Sequence, residues 1–201
     1  MLERTHYMFD VDDLIIDRGV YSHLYPDVLQ AVAELRNLSP LELSETIRKA
    51  KEKRNAKGKL DTYDLCEEIG CLDLYYVLFD KITDERSENF TNEGLSLLFK
   101  GIKEMKKKIC IVSNDHHKTI RMMLKKFNLL DHVDIIFSRD QGGEKKNLEY
   151  WGKLIEKEDL VPEHCIVVGN DFQTQLKHAK RFGFRTIKLH EPISFNIMKY
   201  L

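Results

Sequence analysis

The chain lacks a sizeable net charge, a membrane-length apolar run, a CxxC pair and any internal repeat. Lys and Arg number 32 against 33 Asp and Glu, a formal charge of −1, which argues against a protein that coats nucleic acid. A spanning helix needs about 20 consecutive apolar residues, and no window approaches that. Cys66, Cys71, Cys110 and Cys165 show no CxxC spacing. They read as reduced and structural, Cys110 and Cys165 falling in apolar runs where a thiol behaves as a small hydrophobe. The opening MLERTHYMFDVDD carries no apolar signal stretch, so a cytoplasmic protein is expected. No low-complexity linker interrupts the pattern, and nothing in it specifies an oligomeric state.

What is present is enough apolar sequence, 42% of 201 residues, to bury one core domain with a sizeable insertion. Short apolar strands alternate with amphipathic helices, the pattern of a parallel sheet with crossover helices. Strands are predicted at Tyr7 to Val11, Ile109 to Ser113, Val133 to Phe137, Cys165 to Val168 and Thr186 to Leu189. Helices are predicted at Glu93 to Lys107, Lys118 to Phe127, Leu148 to Lys157 and Thr174 to Phe182, the last ending at Gly183. Residues 17–89 interrupt the alternation with a purely helical pattern. Asp27 can open one helix there, Ser39-Pro40 caps a second, Gly58 ends it, and Asp61-Thr62 opens a long segment through Ile82. The run from Arg48 to Lys59 holds seven Lys or Arg against the single acid Glu52. It reads as a solvated helix face, with attraction of an anionic substrate as the alternative.

Asp10 and Asp12 close the first apolar run. Strand side chains repeat with period two, which sends both acids off the sheet edge on one side. Two such charges are costly together unless a cation sits between them or one stays protonated, and a divalent metal is implied. In open parallel sheets, ligands bind beyond the carboxyl ends of the strands. There the chain carries Asp10, Asp12 and Asp13 after the first strand, Ser113, Asn114 and Asp115 after the second, and Gly169, Asn170 and Asp171 after the fourth. Lys145-Lys146 follows the third. Each has a plainer reading: Asp10 or Asn170-Asp171 as caps, Ser113 as a turn former, Lys145 as a surface lysine. His116 and His117 read as a helix-start surface pair, and Trp151 as core at helical spacing with Leu148 and Ile155.

Four segments taken together resemble the haloacid dehalogenase-like hydrolase superfamily over essentially the whole chain. FDVDDL matches its opening DxDx(T/V) signature, ICIVSN its strand ending in Ser or Thr, GGEKKNLEYW its lysine motif, and IVVGNDFQTQLKHAKRFGF its closing GD motif. The resemblance implies an α/β fold: a Rossmann-like three-layer parallel-sheet core, residues 1–16 and 90–201, with an all-helical cap inserted at 17–89. Such a cap is a lid, and a lid that excludes water strengthens electrostatic catalysis.

The chemistry it implies is magnesium-dependent hydrolysis of a small phosphorylated metabolite, a nucleotide or sugar phosphate, through an aspartyl-phosphate. Asp10 would be the nucleophile and Asp12 the general acid and base. Ser113, Asn114 and Lys145 would bind the phosphoryl group, and Asp10, Asp12, Asn170 and Asp171 would surround Mg2+. The second acid, Asp12, favours phosphate esters over dehalogenation. The chain departs from the family pattern at Asn170 and Gln175, where acids are usual, and at Leu14 and Lys146. Losing a carboxylate at 170 predicts weaker magnesium binding. A phosphomutase, or a relative that kept the fold and lost turnover, is the alternative.

Overall fold

A computed structural model describes residues 5–12, 14–16, 19–54, 60–87, 93–171 and 175–189. The chain divides into two compact units, Met1–Asp17 with Thr91–Leu201, and Arg18–Phe90. Asp13, the junctions expected at Asp17 and Asn89, the helix end at Gly58 and the helix start at Thr174 lie outside the described residues.

The first unit is a five-stranded parallel sheet: β1 (His6–Phe9), β2 (Lys108–Val112), β3 (Ile135–Phe137), β4 (Cys165–Gly169) and β5 (Arg185–Lys188), in the order β3-β2-β1-β4-β5. It is the Rossmann-like α/β architecture expected. Its helices are α5 (Glu93–Glu104), α6 (His117–Lys126), α7 (Arg139–Gly142), α8 (Leu148–Lys157) and α9 (Lys177–Arg181). Strand alternation splits the core in two. Met8, Cys110, Val112 and Val167 pack with Tyr150, Trp151, Leu154 and Ala179 of α8 and α9. On the opposite face Phe9 meets Phe99 of α5, ring centroids 5.0 Å apart. Strand order reverses between β1 and β4, where Phe9 is level with Val168, and such switch points open a crevice for ligands.

Several element ends differ from those predicted. β1 stops at Phe9 because the chain turns on the Val11 carbonyl, which accepts the amides of Leu14, Ile15 and Ile16 at 3.3, 2.8 and 3.2 Å. Period-two reasoning therefore does not extend to Asp12. β3 begins at Ile135, since Leu130–His132 forms a 3-10 turn. α5 ends at Glu104 and Lys106 takes φ +58°. Gly183 does end α9 with φ +94°, as a left-handed cap residue should.

The second unit holds α1 (Gly19–Arg36), α2 (Pro40–Lys53), α3 (Thr62–Glu68) and α4 (Leu72–Ser87). Asp27 opens no helix, because α1 runs straight through Pro26. An interior proline costs about 3 kcal/mol. Against it stand four buried side chains on one stripe, Val20, Leu24, Val28 and Val32, each contributing roughly 1.5–3 kcal/mol. Ser39 caps α2 with a reciprocal bond, its amide donating to Glu42 Oε2 at 2.8 Å, and Asp61 Oδ1 accepts the Tyr63 amide at 2.9 Å to open α3. The long segment predicted from Asp61 is two helices. Gly70, at φ +68°, ends α3 while Cys71 N–H donates to the Cys66 carbonyl at 2.8 Å.

The basic run is not simply a solvated face. Arg48 pairs with Glu45 and Glu52 along α2. Arg54 is a clamp between helices, donating to Asp64 and Glu68 at 2.8 Å each and pairing with Glu67. Lys57 and Lys59 lie outside the described residues. The four cysteines are free and buried; burial pushes the Cys110 thiol well above its ordinary range. Among the described residues, no helix is long and apolar enough to cross a membrane.

Candidate active site

Asp10 leaves β1 on the Met8 side of the sheet, the side covered by α8, and this parity explains its partner. Lys145, from the loop between α7 and α8, forms an ion pair with Asp10 Oδ1, and both side chains are almost wholly buried, 2% and 4% exposed. The ammonium also donates to the Val112 carbonyl at 3.2 Å. Asp10 Oδ1 accepts a second bond from the Val11 amide at 2.7 Å. Both bonds fall on Oδ1. Gly169 stands beside Asp10: a Cβ there would lie 3.8 Å from Asp10 Cβ and 3.3 Å from Leu176.

The loop after β2 is tied to the lysine segment. Asn114 Oδ1 accepts the Lys145 amide at 2.7 Å, and Trp151 Nε1 donates to the Lys145 carbonyl at 3.0 Å. Trp151 is core as predicted, 0% exposed, yet it also fixes the lysine; Leu148, its expected neighbour, is exposed. Ser113 is buried, and its hydroxyl is spent locally, donating to Asp115 Oδ2 and accepting the Asp115 amide, both at 3.0 Å. Its own amide donates to the Tyr150 hydroxyl at 3.1 Å, and that hydroxyl donates to the Phe137 carbonyl at 2.7 Å. Burial pushes the Tyr150 phenol well above its ordinary range, so it works as a neutral bridge between the ends of β2 and β3.

Asp12 and Asn170 meet through Asn170 Nδ2, which donates to the Asp12 carbonyl at 3.4 Å. The Asp171 carbonyl accepts the Leu176 amide at 3.0 Å. The structure thus joins Asp10 to Lys145, Lys145 to Asn114, and Asp12 to Asn170. His116 and His117 do start a helix, but not as a surface pair. His116 Nδ1 lies 2.5 Å from Asp140 Oδ1, and the His117 amide donates to Asp140 Oδ2 at 2.7 Å. Burial pushes the Asp140 carboxyl up, but the His117 N–H and His116 outweigh it and hold it below the usual aspartate range. Asp115 was noted after the second strand, whereas Tyr150 and Asp140 were not readable as site residues. The Ser138–Gln141 spacing that opens α7 is a capping-box signature and was the one available signal.

The family model for haloacid dehalogenase-like hydrolase matches residues 7–189. The chain belongs to that family. Solved structures share its fold at low identity. A mutant of CbbY from Rhodobacter sphaeroides, in complex with xylulose-(1,5)bisphosphate, is 17% identical with a TM-score of 0.64, covering 97% of this chain and 88% of its own. β-Phosphoglucomutase from Clostridium difficile is 17% identical, TM-score 0.61, with 99% and 88% covered. YfnB from Bacillus subtilis, bound to magnesium, is 19% identical, TM-score 0.58, with 96% and 92% covered. No curated protein matches the chain by sequence.

The candidate donors named from the sequence are hard oxygens: the Asp10 carboxylate, the Asp12 carbonyl, the Asn170 amide and Asp171. That is the set magnesium takes. Among the described residues no group of three or more His, Cys, Asp or Glu is arranged to hold a metal ion, and Asn170 offers an amide rather than a carboxylate. Its nitrogen faces the Asp12 carbonyl, but at 3.4 Å that bond exceeds the usual N–H···O range. Its amide also carries an oxygen, so the chemical types of the donor set fit the ion.

Proposed function

We propose that this chain is a magnesium-dependent phosphatase acting on a small phosphomonoester, a nucleotide or sugar phosphate, through a phosphoryl ester on Asp10. The observation that carries this reading is the buried Lys145–Asp10 pair at the carboxyl edge of the central strand. Desolvating two charges costs several kcal/mol per ion, and an apolar pair would serve stability as well or better. A buried carboxylate held beside a cation at a ligand-binding edge is better explained by chemistry.

Asp10 Oδ2, the oxygen that carries neither of the two bonds, attacks phosphorus as the bond from phosphorus to the leaving oxygen breaks. The departing alkoxide takes a proton from the Asp12 carboxyl. Water then attacks the same phosphorus as its bond to Asp10 Oδ2 breaks, giving one proton to Asp12, freeing the Asp10 carboxylate and releasing inorganic phosphate. Lys145 balances the charge that builds on Asp10 and the phosphoryl oxygens. The Asn114 amide and the Ser113 hydroxyl, turned from Asp115, bind those oxygens. Asp10, the Asp12 carbonyl, Asn170 and Asp171 are the groups that would hold magnesium, which supplies charge stabilisation to the transferring phosphoryl group. The inserted helical unit is where we place substrate selection.

The test is release of inorganic phosphate from a panel of nucleoside monophosphates and sugar phosphates with magnesium. Asp10→Asn should abolish it, and equal release from wild type and variant contradicts the mechanism. The likeness to a β-phosphoglucomutase favours a second reading, a phosphomutase, which isomerises a sugar phosphate with no net phosphate release. A chain with neither activity fits the remaining alternative, a relative that kept the fold and lost turnover and serves as a binding or regulatory protein, as Asn170 and Gln175 would then explain.

A further inference from the structure

The loop that would bind the phosphoryl group is located from outside, by the segment that also carries Lys145. That segment is itself rigid. Ser138 is wholly buried and its amide donates to Gln141 Oε1 at 2.9 Å, closing a cap on α7. Gly142 then packs so closely that a Cβ would lie 2.5 Å from the rings of both Phe137 and Tyr150, and Gly143 turns the chain at φ +79° toward Lys145. From this base four bonds reach the loop after β2. Arg139 N–H donates to the Asp115 carbonyl at 3.1 Å, Lys145 N–H to Asn114 Oδ1 at 2.7 Å, and Asp140 takes His116 and the His117 amide, one on each carboxylate oxygen.

Asp140 stands out among the four ties. The first amides of a helix have no partner within it and need a cap. In α6 the residue at the capping position, His116, makes no side-chain cap bond. The cap comes instead from 23 positions away, through Asp140 Oδ2 on the His117 amide, where a negative charge also complements the helix dipole. The other oxygen orients His116. The start of α6 is therefore registered against α7 by one carboxylate, and Ser113 and Asn114 immediately precede that start.

We propose that Asp140 is a positioning residue for the phosphoryl-binding loop, acting through His116 and the His117 amide. The proposal rests on the phosphatase reading of this site. Asp140 touches no substrate; it sets where the Asn114 amide and the Ser113 hydroxyl sit when phosphate arrives.

Amide hydrogen exchange of the full chain, titrated with inorganic phosphate in the presence of magnesium, tests this by reading the protection of residues 113–118. In Asp140→Ala, the phosphate concentration giving half-protection should rise about tenfold, the size of one lost helix cap. Exchange at residues 114–118 without phosphate should quicken, while β1 and β4 stay unchanged. Asp140→Asn should recover most of the loss, because its amide oxygen still accepts from His117 N–H. Should Asp140→Ala fail to fold, His116→Ala is read the same way and should weaken phosphate about threefold, having kept the cap. Unaltered half-protection in both Asp140→Ala and His116→Ala overturns the positioning role alone. A wild-type chain whose loop gains no protection from phosphate overturns this proposal and the phosphatase reading together.

Discussion

Replacing Lys145 by methionine removes the cation beside Asp10 while keeping most of the side-chain volume. Two unit charges at about 4 Å interact by about 4 kcal/mol at an effective dielectric of 20, and removing one partner of a buried pair typically costs about 3–5 kcal/mol. Asp10 and Lys145 are both nearly inaccessible, so the full range applies. Among the described residues, the carboxylate in Lys145→Met keeps only the Val11 amide. In Asp10→Asn the ammonium keeps the Val112 carbonyl and the asparagine oxygen. Each single variant should lose about 3–5 kcal/mol, whereas the double variant should lose far less than their sum, with a coupling above roughly 2 kcal/mol. The single tryptophan makes the measurement clean. Trp151 is buried in the sheet unit and bonded to the lysine's own carbonyl, so its fluorescence in a urea titration follows that unit alone. Strict additivity, within about 0.5 kcal/mol, would refute the claim that these two charges hold each other. Magnesium should also stabilise Lys145→Met more than wild type, since it replaces the missing cation at Asp10.

Other substitutions probe separate parts of the structure. Tyr150→Phe deletes the hydroxyl that links Ser113 N–H to the Phe137 carbonyl; because Ser113 N–H also reaches that carbonyl at 3.2 Å, the loss should be about 1–2 kcal/mol by the same urea titration. Arg54→Met removes the ion pair to Asp64, which is 6% exposed, and should destabilise the helical unit by about 2 kcal/mol, discounted for the part-exposed arginine and read by the helical circular dichroism of a thermal melt. Asn170→Asp restores a carboxylate beside the Asp12 carbonyl and should tighten magnesium binding, measured by calorimetry; unchanged affinity would place the ion elsewhere. The Asp140 carboxyl is held below its ordinary range, so its stabilising effect is complete above the unfolded value of about 3.9 and is lost as pH falls through the folded one. Thermal midpoints of Asp140→Asn should therefore fall less than wild type between pH 5 and pH 3.

Where a feature depended on neighbouring residues, it was legible. The apolar runs located all five strands, Ser39, Asp61 and Gly183 marked helix ends through backbone bonds spanning a few residues, and the order of four motifs singled out Asp10 and Lys145. Where a feature depended on a distant partner, local preference misled. Asp27 suggested a helix start, yet burial of a whole apolar stripe carried α1 through that position and outweighed the hydrogen bond lost at Pro26. Counting charges along the basic run also misled for Arg54, because the acids that neutralise it come from the next helix.

Alone, then, the order of residues determined the parallel α/β core, its helical insertion and the chemical types gathered at one sheet edge, since periodicity and capping act over a single turn or strand. Tertiary structure decided which polar groups touch. Asp10 and Lys145 are 135 positions apart, and only parallel packing at the strand crossover lets them meet. Likewise the Ser113 hydroxyl turned to Asp115, and Asp140 came to cap a helix it does not belong to, because buried donors and acceptors must be paired by whatever segment the fold brings within reach.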